Sequence, residues 1–293
     1  MADMTATTMA VWIPEVQGRA ATITYRAETV NVPLLDHTWE DQLRAGGTDT
    51  VNIPGFSQNS APNNRGAGAG TFGTGATITF DAVTEVNVAL VVNRWYYKAD
   101  RHPFELAAQQ IGTYQMLLAR GRGQAIQLQV DADIAADNTN GYDAGTAVGT
   151  DNVDVTEDDL FTLQTNLNNQ NAPVNGRKLV VSPATHSSMM KVEALRNSLY
   201  AGAMGNLDGA KGQGFVGKAL TFDVYMSNNL EAGTAGKKNA AFQTEAIAFA
   251  EQVGLTPEAN RILSTGGFAE FMTWQTCGFK IVKSAFLYEL DGK

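Results

Sequence analysis

The chain has 293 residues, of which 44% are hydrophobic and only 17% charged, and its formal net charge is −9. This length allows one large domain or two to three smaller ones, and the diffuse negative charge argues against general nucleic-acid binding, which needs a basic face. The single cysteine, Cys277, excludes an intramolecular disulfide and a zinc site built from cysteines. No apolar run approaches the ~20 residues of a membrane span, and no signal peptide is recognisable, so we expect a protein that is neither membrane-bound nor secreted.

Residues 1–46 predict an extended arm. A short helical turn from Trp39 to Leu43 would end at the glycine pair Gly46 and Gly47. An arm that carries Trp12 and Trp39 but no compact apolar pattern is expected to dock on another surface. A disordered tail is the alternative interpretation.

Residues 47–97 predict one long hairpin. Asp49–Ile53 would form the outgoing strand, and the alternation of apolar and polar residues between Thr77 and Val92 predicts the return strand. The intervening stretch 57–75 is rich in Gly, Asn and Ala and too poor in apolar residues to pack alone. A hairpin of this kind is expected to find a partner surface.

A match to the dinucleotide-binding pattern GxGxxG occurs in this tip, at Gly68, Gly70 and Gly73. That function requires a strand before the glycines and a helix after them. Here a strand follows, so the glycines indicate a flexible tip rather than a cofactor site.

The pattern of residues 103–137 predicts one long helix that begins at Pro103 and is roughly 50 Å long at ~1.5 Å per residue. His102 would be a helix-start residue. Asp131, Asp133 and Asp137 lack the spacing of a calcium loop, so we interpret them as a solvated helix end. The apolar stripe comprises Ile111, Tyr114, Leu118, Gly121, Ala125, Leu128, Ala132 and Ala135.

Residues 138–258 alternate helical and strand patterns. Thr156 and Asp159 form a capping-box signal ahead of a helix with Leu160, Leu163 and Leu167 on its buried face. Buried strands are predicted at 179–181, 222–226 and 246–250. Ser182 and His186 could share a helix face, but no nucleophile elbow surrounds the serine, so a helix cap is favoured over a catalytic pair.

The C-terminal region predicts two long strands, Phe268–Trp274 and Phe279–Leu290, which would be joined near Cys277 and Gly278. The cysteine is expected to be a buried, inert thiol.

The order of these parts resembles that of the major capsid proteins of tailed bacteriophages, which have the Hong Kong 97-like fold. The sequence segments that carry the resemblance are GTDTVNIP at 47–54, DRHPFEL at 100–106, and the stretches 177–183, 214–217, 222–230 and 278–290. The resemblance implies an α+β fold with an N-terminal arm (1–46), an extended hairpin loop (47–97), a peripheral domain with a spine helix (98–137), an inserted mixed α/β axial domain (138–258) and peripheral C-terminal strands (259–293).

The implied function is assembly rather than catalysis. The resemblance predicts a non-enzymatic major capsid protein, without cofactor or metal, that forms hexamers and pentamers of an icosahedral shell around phage double-stranded DNA. It would be a virion component assembled in the host cytoplasm, with scaffolding, portal and decoration proteins as further partners, no sequence-specific DNA binding and no membrane.

Some proteins of this family crosslink the shell through a lysine in the extended loop. The first lysine here, Lys98, follows the hairpin, and Arg65 is the cation of its tip, so no such crosslink is expected. The residues expected to contact neighbouring subunits are Trp12, Trp39, Arg65, Arg94, Lys98 and Arg101. For the three cations at the hairpin base, Arg94, Lys98 and Arg101, a merely solvated role is the alternative.

Three rival interpretations stay open at the level of the sequence. The first is a bacterial nanocompartment shell of the same fold that encloses an enzyme cargo. The second is an enzyme with its α/β core at 138–258, and the third is a phage tail or decoration protein.

Overall fold

The computed structural model describes residues 29–46, 48–56, 85–103, 114–192, 214–262 and 267–293. The predicted hairpin tip with its glycine pattern, and the arm before residue 29, lie outside this part of the chain. The described helices and strands are, in order, α1 Glu40–Gly46, β1 Thr50–Phe56, β2 Glu85–Val91, β3 Arg94–Pro103, α2 Tyr114–Ala136, β4 Thr146–Gly149, α3 Glu157–Asn169, β5 Arg177–Val181, α4 Pro183–Met189, β6 Phe215–Ala219, β7 Phe222–Met226, β8 Lys237–Gln243, β9 Ile247–Ile262, β10 Phe268–Ile281 and β11 Leu287–Gly292.

The base of the predicted hairpin is confirmed. β1 and β2 pair antiparallel from Thr50 opposite Val91 to Phe56 opposite Glu85. Leu43 on α1 packs with the inward side chains of this pair and with β9 in one buried cluster. The chain then turns at residues 92–93 and enters β3, so residues 94–97 belong to a different sheet from the hairpin.

The second sheet has three antiparallel strands in the order β3-β10-β9. β10 runs without a break from Phe268 to Ile281, so the prediction of two strands joined near Cys277 and Gly278 is wrong. Gly278 serves close packing rather than a turn, because a Cβ there would overlap the carbonyl oxygen of Val91 at the end of the hairpin. The register with β9 shifts on both sides of Thr276, as it does at a β-bulge.

The third sheet has six strands in the order β4-β11-β8-β5-β7-β6. The C-terminal strands lie in two sheets, because β10 pairs with β3 whereas β11 lies between β4 and β8. β8 was not predicted from the sequence, because its residues from Asn239 onward are buried on both faces and therefore show no alternation of apolar and polar residues.

The helix beside this sheet follows the prediction closely. The Thr156 hydroxyl accepts a hydrogen bond from the Asp159 backbone N–H, and the Asp159 carboxylate accepts one from the Thr156 N–H. Leu160, Leu163 and Leu167 are all fully buried in one cluster with β5 and β7. The start of this helix could be predicted from the sequence because the two capping residues are only three positions apart.

The long helix α2 differs from its prediction in two respects. Its described part begins at Tyr114, and Pro103 ends β3 opposite Phe268, so the predicted start at Pro103 is wrong, as is the helix-start role of His102. The predicted stripe is wrong at Gly121 and Ala125, which are exposed, whereas Ala135 is buried as predicted. The buried stripe comprises Arg122, Ile126, Val130 and Ile134. A pattern of apolar residues does not predict this stripe, because Arg122 is charged. Arg122 is nevertheless buried, since it forms an ion pair with Asp100.

The largest core cluster lies between α2 and the sheets. Ile126, Val130 and Ile134 pack in one cluster with Phe249 of β9 and Phe279 of β10. Asp131 on the same helix is fully buried, so its prediction as part of a solvated helix end is wrong. Its partners are hydrogen-bond donors from elsewhere in the chain.

Candidate intersubunit surface

β3 attaches to the end of α2 through Arg94. Its guanidinium forms an ion pair with Asp137 and lies 3.5 Å from Asp133, and it stacks 4.2 Å from the centroid of the Phe279 ring. Tyr96, on the same face of β3, donates a hydrogen bond of 2.5 Å to Asp133. Burial and this bond raise the pKa of Tyr96 well above its usual value. The described contacts of Arg94 thus lie within the subunit.

A second ion pair lies further along the same face of β3. Arg122 Nη1 of α2 is 2.9 Å from Asp100 Oδ2, and the arginine Nε lies 3.4 Å from the hydroxyl of Thr273 on β10. Because β-strand side chains alternate between faces, the even-numbered residues of β3 face α2 and the odd-numbered ones face away.

Arg101 lies on the opposite face, next to its register partner Glu270. Its Nε and Nη2 both donate to Glu270 Oε1, at 2.9 and 2.6 Å, and its guanidinium is 5.2 Å from the centroid of the Phe268 ring. This cross-strand pair joins β3 to β10, so Arg101 also contributes to the subunit's own structure.

The same outward face carries two exposed aromatic residues. Trp95 is 57% exposed and Tyr97 is 59% exposed, and their ring centroids are 5.0 Å apart. Trp274 stands opposite Tyr97 in the register, half-buried, and its Nε1 donates to Glu258 at 3.0 Å. Large aromatic side chains are enriched at protein interfaces because they bury much apolar area at low entropic cost.

The outer edge of β3 is open within the described part of the chain, where the strand pairs only with β10. An open edge presents unpaired backbone N–H and C=O groups that favour pairing with another chain. Lys98 is exposed on this strand and forms no ion pair with any described residue, but as an even-numbered residue it lies on the face opposite to Trp95 and Tyr97. We call Trp95, Tyr97 and the open edge together the β3 surface.

A pocket of about 480 Å³ lies between α1, the hairpin base and the turn after β10. Trp39, Ile53 and Val88 line its apolar side, and the ion pair of Lys283 with Glu245 lies at its polar side, with an N–O distance of 2.5 Å. Trp39 packs against the buried cluster under the hairpin. Its side chain therefore supports the hairpin base from within the subunit.

The structure separates the predicted contact residues into groups. Trp12 and Arg65 lie outside the described residues. Trp39, Arg94 and Arg101 make intramolecular contacts, and Lys98 is exposed. Trp95 and Tyr97 were not predicted as contact residues because residues 94–97 were assigned to the hairpin. The alternate aromatic positions of RWYYK nevertheless indicate one face of a strand.

The described residues also include the serine that was considered as a possible catalytic residue. Ser182 caps α4 as predicted: its hydroxyl accepts from the Thr185 N–H at 3.0 Å and donates to the Lys293 carbonyl at 3.1 Å. In the described ranges no cluster of three or more His, Cys, Asp or Glu residues could hold a metal ion. None of the described helices combines the length and hydropathy of a membrane span.

Comparison with known proteins gives a consistent result at the level of structure. No protein-family model matches the sequence, and no curated protein sequence does. A chain from Mycobacterium phage Che8 is similar with a TM-score of 0.71 at 21% identity, over 95% of this chain and 96% of that one. A chain from the capsid of cyanophage P-SCSP1u gives 0.69 at 14% identity, over 98% and 94%. One from the mature capsid of bacteriophage PhiM1 gives 0.68 at 9% identity, over 96% and 92%.

At these identities the similarity is one of fold. The chain has the α+β fold of phage capsid chains, and the resemblance to the Hong Kong 97-like fold is confirmed at that level.

Proposed function

We propose that this chain is a major capsid protein of a tailed bacteriophage, whose copies assemble into an icosahedral shell around double-stranded DNA. The observation that carries the proposal is the fold match with phage capsid chains over almost the full length of both partners. The protein would be a virion component that is assembled in the host cytoplasm and has no catalytic role.

The proposal assigns a role to each part of the chain. The three-stranded sheet with α2 would be the peripheral domain, and the six-stranded sheet the axial domain that meets its copies at the centres of hexamers and pentamers. β11 pairs within the six-stranded sheet, and on this proposal it would belong to the axial domain rather than to the returning peripheral strands. The arm and hairpin would reach neighbouring subunits.

The β3 surface supports an assembly role on physical grounds. An exposed aromatic pair and an open strand edge are costly for an isolated subunit and favourable once a neighbour covers them. Each contact can be weak, because a closed shell makes many of them at once. We propose that Trp95, Tyr97 and Lys98 contact a neighbouring subunit, and that Trp12 and Arg65 contribute further contacts.

The net charge of −9 is consistent with a shell that encloses DNA without reading its sequence, because a diffusely acidic surface limits adhesion to phosphates. Scaffolding, portal and decoration proteins would be the further partners of such a shell.

Negative-stain electron microscopy of the purified protein, combined with size-exclusion chromatography, tests the proposal. We expect uniform hollow shells, and particles isolated from infected cells should contain double-stranded DNA. Shells that contain a protein cargo and no DNA would indicate a bacterial nanocompartment instead. A small closed oligomer that persists when phage scaffolding protein is co-expressed would contradict a shell-forming role.

A further inference from the structure

Asp131, about five residues before the end of α2, is a buried carboxylate at the junction of three parts of the fold. Its Oδ1 accepts hydrogen bonds from the backbone N–H groups of Asn31, at 2.6 Å, and Val32, at 3.2 Å. Its Oδ2 accepts from the Val30 N–H at 3.4 Å and from the Asn229 side-chain amide at 3.2 Å. The Asn31 side chain donates in turn to the Asp131 carbonyl, at 2.9 Å.

The hydrogen-bond donors around Asp131 are arranged to bind one carboxylate. Within the described residues no cation pairs with Asp131, and its side chain is satisfied by N–H donors alone. Burial raises the pKa of Asp131, while the bonds from Asn229 and from the backbone of residues 30–32 act in the opposite direction. Burying a carboxylate without a cation is costly, so the position is tolerated only because several donors converge on it.

The segment that Asp131 holds leads directly to the hairpin. Beyond Val32, the Leu34 carbonyl accepts a bond of 2.6 Å from Lys178 Nζ, and Asp36 exchanges backbone hydrogen bonds with β9 through Ile247 and Phe249, at 3.1 and 2.9 Å. α1 follows immediately and packs against β1 and β9. Residues 30–36 thus run from α2 to β9, and their first three N–H groups are held by one side chain.

We infer that Asp131 is the positioning residue of the N-terminal arm: it acts as a clasp that holds residues 30–32 of the arm on the body of the subunit and thereby allows the arm to contact a neighbouring subunit. This inference rests on the proposed assembly function. Its structural half, the ordering of residues 30–36, can be measured independently of assembly.

The test compares three variants of the full chain by hydrogen–deuterium exchange. Asp131→Asn keeps the shape of the side chain but replaces one accepting carboxylate oxygen with a donating NH2 group. Asn31→Ala is a milder variant that removes only the side-chain hydrogen bond to the Asp131 carbonyl. Asp133→Asn is the matched control, because it makes the same charge change two residues away without contacting the arm. We expect exchange in residues 30–36 to rise about tenfold in Asp131→Asn, since hydrogen bonds to a charged group are lost. The rise should be smaller in Asn31→Ala and absent in Asp133→Asn.

The same variants are then scored for shells by electron microscopy. The clasp predicts that Asp131→Asn retains wild-type exchange in β9 and β10 but forms severalfold fewer shells than Asp133→Asn. Unchanged exchange in residues 30–36 would overturn the clasp, as would increased exchange with normal shell yield. Failure of the wild type to form shells would instead count against the proposed function, and the exchange result would still decide whether Asp131 orders the arm. If Asp131→Asn does not fold, Asn31→Ala carries both measurements.

Discussion

Arg122 of α2 and Asp100 of β3 form an ion pair of 2.9 Å whose arginine side chain is only 6% exposed. The guanidinium also lies 5.7 Å from the centroid of the Phe271 ring. This pair joins the long helix to the three-stranded sheet at a point where the sequence pattern suggested no buried charge.

The first prediction concerns this pair. Arg122→Ala should lower the free energy of unfolding by about 3 kcal/mol, because it leaves Asp100 without its partner in a largely buried position. Glu270→Ala, which disrupts the more exposed pair with Arg101 on the other face of β3, should cost about 1 kcal/mol or less. Urea denaturation of both variants provides the measurement. Equal losses would show that burial does not distinguish the two pairs.

The second prediction is a pH dependence that originates at Glu289 of β11. Burial, together with the hydrogen bond to Asp291, raises the pKa of Glu289 to about 7, although Lys238 lies 3.4 Å from its carboxylate. The folded state therefore holds a proton that the unfolded state, with a pKa near 4.5, releases. This contribution to stability is complete at low pH and is lost as the pH rises toward 7.

Glu289→Gln removes this titration. Its stability relative to wild type should rise between pH 5 and pH 8 by about 2 kcal/mol, as measured by thermal or urea unfolding at both pH values. Glu258→Gln, on the exposed edge of β9, is the matched control and should track the wild type. A constant difference between Glu289→Gln and wild type across this range would contradict the raised pKa.

The third prediction separates assembly from stability at the β3 surface. The double variant Trp95→Ala/Tyr97→Ala should unfold at nearly the wild-type urea concentration, because both side chains are more than half exposed. It should nevertheless give a markedly reduced yield of shells, since interface aromatics dominate association energy. Phe161→Ala, which removes a 40% exposed aromatic from α3, is the control for loss of surface area and should assemble normally. Normal shell yield from the double variant would exclude this surface as a contact.

The fourth prediction concerns Cys277. The thiol is fully buried, and burial together with the charge of Glu251 raises its pKa to about 12. Because the thiolate is the reactive form, a soluble thiol reagent at pH 8 should not label the native protein and should label it stoichiometrically in urea. Rapid labelling of the folded protein would show that β10 opens at this position.

The sequence predicted those features that depend on near neighbours. The capping box at Thr156 and the cap at Ser182 involve residues three apart, and the hairpin base follows from alternation in each strand. The buried face of α2 was predicted wrongly because Arg122 and Asp131 are buried by partners that lie distant in sequence. The outward face of β3 could not be predicted, because its position depends on which strands pair with each other. A single sequence does not contain this information.

The position of β11 has a consequence for the order of events during synthesis. β4, at residues 146–149, pairs with β11 at residues 288–291 and with no other described strand, so its sole sheet contact joins residues far apart in the chain. Such long-range pairing makes folding slow. The six-stranded sheet cannot close until residue 287 and those after it have left the ribosome, so an unfinished chain exposes the edge of β8. A subunit of this design becomes ready to associate only once β11 has been synthesised.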